Sequence, residues 1–172
     1  MTRIITSIIA LLIALAVVTP AAAQIGGPES ADWPTISYAN TRSGQQIVVS
    51  EYAHPNTTAA NLSLAVMDGA MVQESSDGFA TITEEMMLNS GARADLGVDD
   101  GRMMFFVTND TYTPGVILIL QDQATLYIIF FVGDGSTGDA ETFVEYAADV
   151  VRYGVETPPP AGFVQTGSRN LD

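Results

Sequence analysis

The chain has 172 residues, and its apolar fraction of 47% is too high for a disordered protein and enough for one core. Six basic side chains stand against twenty acidic ones, and the net charge of −14 repels nucleic acid and anionic lipid. Cysteine is absent, which excludes disulfides, thiolate metal sites and a cysteine nucleophile.

Met1-Thr2-Arg3 is a short basic start. Ile4 to Val18 is an almost unbroken apolar run, and Pro20-Ala21-Ala22-Ala23 follows with a helix break and small residues. This predicts a secretory signal peptide over 1–23, cleaved between Ala23 and Gln24. The apolar run is shorter than the ~20 residues of a spanning helix, so no stable membrane anchor is expected after cleavage. An exported chain without cysteine points to a periplasmic or secreted, bacterial protein. The sequons at Asn56, Asn61 and Asn109 are then chance matches.

Residues 24–33 read as a Gly/Pro/Ser-rich linker, 34–157 as a single α+β domain, and 158–172 as a proline-rich flexible tail. Within the domain, Ile36–Tyr38 and Ile47–Tyr52 are strand candidates around the turn Thr41-Arg42-Ser43-Gly44. His54 to Thr58 reads as a loop. Leu62–Val66 and Met71–Glu74 flank Asp68-Gly69, a hairpin signal, and Ser75-Ser76-Asp77-Gly78 is a further turn. Thr81 to Ser90 reads as a helix, with Thr81 and Glu84 as a capping box, Ile82, Met86 and Met87 on its buried side, and Gly91 as its stop. Ala92 to Gly101 reads as a polar loop.

Three apolar runs follow, Met103–Thr108, Val116–Leu120 and Leu126–Val132, with connections short enough for an antiparallel meander. They lack polar alternation, so both faces of these strands must be covered. Asp139 to Tyr153 carries Phe143, Ala147, Val150 and Val151 at helical spacing. Ser136, Thr137 or Asp139 can cap its start, and Gly154 ends it. The expected architecture is an α/β/α sandwich on a largely antiparallel sheet, with one main helix on each face.

Few residues carry chemistry. Gly133-Asp134-Gly135-Ser136-Thr137-Gly138 matches the dinucleotide fingerprint, but no second parallel strand follows and acidic residues crowd the pyrophosphate position, so no cofactor is expected. Asp134, Asp139 and Glu141 form a calcium alternative on the same turn, with Asp99-Asp100 as a second acidic pair that reads more simply as a solvated turn. His54 is the only histidine, and with Glu51 it forms the base–carboxylate pair of a hydrolase alternative. In a polar loop beside Pro55 it reads more simply as a surface residue. Glu84 and Glu85 point about 100° apart on a helix and do not converge. Met86-Met87 and Met103-Met104 read as core filler. Trp33, Tyr38, Tyr52 and Tyr112 read as edge packing or the lining of a groove.

The segments GFATITEEMMLNSGAR, RMMFFVT, GVILILQ, TLYIIFFVGDG and DAETFVEYAADVVRYG, in that order, resemble the PsbP/DcrB-like proteins over Leu62 to Gly154. The resemblance implies an exported α/β/α sandwich and a binding or assembly module rather than an enzyme. It carries over no functional residue. Photosystem binding is not implied, because those proteins rely on basic residues and this chain has no lysine. The expected function is a non-catalytic secreted or periplasmic domain that binds a partner protein or small ligand. The alternatives are a small periplasmic hydrolase (His54, Glu51) and an acidic calcium-binding protein (Asp134, Asp139, Glu141).

Overall fold

A computed structural model of the chain describes residues 33–65, 80–109, 111–133 and 137–171. The signal peptide, most of the linker, the Asp68-Gly69 hairpin turn and the Ser75–Gly78 turn lie outside these residues.

The described chain is mixed α and β, mostly sheet, with three helices. Strands β1 (Thr35–Asn40) and β2 (Gln46–Ala53) form a hairpin. Its turn is held by Asn40, whose Oδ1 accepts from the backbone N–H of Arg42 at 3.0 Å and Ser43 at 3.3 Å. Helix α1 (57–65) follows, then β3 (Ala80–Met87), helix α2 (Ser90–Leu96), the strands β4 (Asp100–Thr108), β5 (Pro114–Asp122) and β6 (Thr125–Val132), helix α3 (Thr137–Tyr153) and β7 (Phe163–Arg169). All seven strands join one sheet in the order β3-β4-β5-β6-β2-β1-β7, and every neighbouring pair is antiparallel.

The expected meander is β4-β5-β6, and it buries hydrocarbon on both faces. On one face Ile47, Val49, Leu118, Leu120, Ile129 and Phe131 pack beneath Phe143, Ala147, Val150 and Val151 of α3. On the other, Val48, Met104, Phe106, Ile117, Ile119, Ile128 and Phe130 pack with Ala60 and Leu64 of α1 and with Trp33. The pleat explains the division, since neighbours along one strand point to opposite faces.

Four expectations need correction. Thr81–Met87 is strand, not helix. β-branched Thr81, Ile82 and Thr83 favour extended backbone, and β4 offers a complete ladder from Thr108 to Arg102. A bulge at Thr83 and exposed Glu84 and Glu85 suit an edge strand, where charge discourages pairing with another chain.

The Ala92–Gly101 segment is not a loop, because α2 occupies its first half. Asn89 caps that helix by accepting from Ala92 N–H at 3.0 Å, and Gly97 ends it at φ 73°. Gly91, expected as a stop, lies in its first turn.

Leu62–Ala65 is helix rather than a hairpin strand. Asn56 Oδ1 accepts from Ala59 N–H at 2.9 Å, and Ala60 and Leu64 are buried one turn apart. Finally, the expected loose tail contains β7, which pairs with β1 across a bulge at Ser37/Tyr38.

Helix α3 matches its expected span closely, and Gly154 ends it at φ 90°. The side chains of its expected capping residues, Ser136, Thr137 and Asp139, lie outside the described set. No helix among the described residues is long and apolar enough to cross a membrane.

Candidate functional site

The hydrolase pair is not assembled in the structure. Glu51 turns toward α3, where its Oε2 accepts the Val155 N–H at 2.7 Å and stitches β2 to the end of the helix. The carboxylate charge also acts on neighbouring Tyr127, whose pKa is pushed up to about 12, mainly by burial. His54 lies with the other cluster. Its ring meets Tyr52 edge-on at 4.6 Å, and Tyr52 stacks on Trp33 at 5.3 Å. His54 is therefore buried, at 8% exposure, rather than a surface residue. Its Nε2 and the Trp33 Nε1 have no hydrogen-bond partner among the described residues.

Burial lowers the His54 pKa below its usual 6.5, because the imidazolium loses its hydration. Well above pH 6.5 the ring is neutral in both folded and unfolded chains. Below it the unfolded chain takes up a proton that the folded chain resists, so this contribution to stability is lost as pH falls. Urea midpoints at pH 7.5 and 5.0 check this. The wild type is expected to lose more between those values than His54→Phe, which keeps the ring on Tyr52 and cannot titrate.

Of the calcium set, Asp134 and the Asp139 side chain lie outside the described residues, and Glu141 is exposed on α3. No group of three or more acidic or histidine side chains among the described residues is arranged to hold a metal ion. Asp99 and Asp100 are tied into the fold rather than free in a turn. Asp99 Oδ2 accepts from Gln123 N–H at 2.9 Å, and Asp100 Oδ1 accepts from Gly101 N–H at 2.8 Å and Arg102 Nη1 at 3.1 Å. Of the aromatic residues proposed to line a groove, Trp33 and Tyr38 are buried, whereas Tyr112 is 79% exposed.

Two concavities lie near opposite ends of the β4 and β5 strands and share no lining residue. The first is an apolar groove of about 340 Å³ between the N-terminal half of α3 and β4-β5-β6. Met103, Phe105, Val116, Phe131, Phe143 and Val144 form most of its wall. Phe105 and Val144 stay 36% and 46% exposed there, large apolar groups left to water on both banks. Exposed acidic residues flank the groove: Glu84 lies opposite Phe105 in the β3–β4 ladder, and Glu141 and Glu145 adjoin Ala140 and Val144 on α3. None of the three makes an ion pair among the described residues.

The second is a polar cleft of about 470 Å³ where α1, α2 and the ends of β4 and β5 meet. Thr57, Asn61, Arg93, Asp99, Asp100 and Gln121 supply most of its polar lining, with Arg102 beside them. Sequence reasoning missed both Arg93 and Gln121. The available signal was Gln121, an amide closing an otherwise apolar strand.

No family model matches the chain, and no curated protein matches it in sequence.

Proposed function

We propose that the chain is a non-catalytic exported binding module, and that its apolar groove takes an apolar segment of a basic partner protein. The observation that carries this reading is the groove itself, with exposed Phe105 and Val144 on its banks and unpaired carboxylates at its rim. Apolar walls supply affinity through burial, and an acidic rim on a chain of net charge −14 selects for basic flanks by attraction and on-rate. A PsbP/DcrB-like α/β/α sandwich suits this role. It is supported by the apolar contact of α3 with one face of the sheet and of α1 with the other. The basic start and apolar run at the N-terminus support export to the periplasm or beyond.

The test uses a fluorescent probe, Lys-Lys-Leu-Phe-Leu-Lys-Lys, and a twin with glutamate in place of every lysine. By anisotropy, the basic probe is expected to bind the full chain at least about tenfold more tightly than the acidic twin, a difference of about 1.4 kcal/mol. Val144→Glu adds a charge that attracts the basic probe but blocks the apolar wall. It is expected to weaken binding about tenfold or more while leaving the melting temperature nearly unchanged, since Val144 is exposed. Equal binding of the two probes, or undiminished binding by Val144→Glu, would overturn the reading.

A further inference from the structure

The polar cleft is built from groups that the fold only partly satisfies. Thr57 and Asn61 stand one turn apart on α1 and face the strand ends. Gln121 forms part of the wall and is 1% exposed. Its Nε2 donates to Asn61 Oδ1 at 2.5 Å and to the Gln123 carbonyl at 3.0 Å, but its Oε1 is buried with no donor among the described residues. A buried acceptor of this kind is normally satisfied by water, an ion or a ligand.

The charges around Gln121 are arranged in both signs. Arg93 Nη1 donates to the Asp99 carbonyl at 3.0 Å and stands 3.9 Å from Asp100 Oδ1. The rest of its planar fork of donors faces no acceptor among the described residues. Asp99 and Asp100 each use one carboxylate oxygen, leaving Asp99 Oδ1 and Asp100 Oδ2 without donors in the same set. Among the described residues, the lining holds two guanidinium groups, Arg93 and Arg102, and two carboxylates. A lone cation or a lone anion gains little from such a balance. A ligand carrying both charges a few bonds apart gains from each.

We propose that this cleft is a binding site for a small zwitterion of the α-amino-acid type, which presents its carboxylate to the open fork of Arg93 and its ammonium to Asp99, Asp100 and Gln121 Oε1. A guanidinium fork matches a carboxylate with two parallel bonds, and an ammonium supplies the donors that these acceptors lack. The volume is in the range of small-ligand sites. The site shares no lining residue with the apolar groove, so the two can be tested separately.

The test is thermal unfolding of the full chain with each of the twenty amino acids, and with a set of dipeptides, at 10 mM. At least one zwitterion is expected to raise the melting temperature, since a ligand specific to the folded state stabilises it. Preference for a dipeptide over its constituent amino acids would identify a peptide as the source of the same chemistry. The N-acetyl and amide derivatives of the best ligand, which each lack one charge, are expected to bind at least about tenfold more weakly by calorimetry. Gln121→Leu keeps the volume and removes the acceptor, and Arg93→Gln removes the fork. Both are expected to weaken binding at least about tenfold while binding the basic peptide probe as the wild type does. Should Arg93→Gln fail to fold, Gln121→Leu and the derivative series decide. No shift with any zwitterion, equal binding of the singly charged derivatives, or undiminished binding by Gln121→Leu would overturn the proposal.

Discussion

Phe130→Ala is expected to lower the unfolding free energy by about 4 kcal/mol. Phe130 sits on β6, near the centre of the sheet, and is 1% exposed. Its ladder partners are Val48 on one side and Ile117 on the other, both members of the same buried cluster. Removing the ring forfeits its transfer energy and leaves a void, because strands fixed by ladders on both sides collapse little. Urea unfolding checks this through a lower midpoint at unchanged slope. Val164→Ala serves as the control. Val164 is 51% exposed on the edge strand β7, and its truncation is expected to cost no more than about 0.5 kcal/mol.

Gly115→Ala is expected to cost about 3 kcal/mol, the upper end of the usual overpacking range. A Cβ built on Gly115 stands 2.6 Å from the Phe131 carbonyl oxygen and overlaps the Phe106 ring. The carbonyl belongs to the neighbouring strand and cannot swing away as a flexible side chain does. Phe106 is itself 1% exposed, so its ring has little room to retreat. In a Phe106→Ala background the ring overlap disappears while the carbonyl contact stays. Gly115→Ala is therefore expected to cost less there than in the wild type, a non-additivity measurable by a double-mutant cycle.

The legibility of this fold follows from how deeply each element is buried. Ile117 and Leu118, or Ile128 and Ile129, announce a strand covered on both faces, and the Phe143–Val150 stripe announces a helix with one apolar side. Elements with little apolar payload were hidden. Helix α2 buries only Leu96, so Ala92-Arg93-Ala94-Asp95 carries no stripe even though Asn89 and Gly97 mark its ends. Strand β7 is largely exposed and is held by backbone pairing to β1, which leaves no two-residue alternation to read. In β3 the local features resembled a helix start, and the ladder to β4 prevailed over them.

The two concavities were less legible than the fold. Met103, Phe105 and Phe143 all read as core residues, Val144 stood outside the helix stripe, and only the chain path shows that Phe105 and Val144 meet solvent side by side. The polar cleft draws Asn61, Arg93, Asp99 and Gln121 from separate elements, and each is ordinary in its own neighbourhood. His54 shows the reverse error. Its polar surroundings in sequence suggested the surface, but it is buried against Tyr52.

The placement of β2 has a kinetic consequence. Each of β3, β4, β5 and β6 pairs with the next of these strands in sequence, so the four can zip together through local connections. Strand β2 instead pairs with β6, Gln46 opposite Val132, across the whole intervening chain. Closing so long a loop is entropically costly before its contacts form, and distant strand pairing slows folding. The docking of the β1–β2 hairpin onto a preformed β3–β6 unit is therefore expected to limit the rate. Until it docks, the outer edge of β6 is an open template for another chain, and misassembly during synthesis or refolding should begin there.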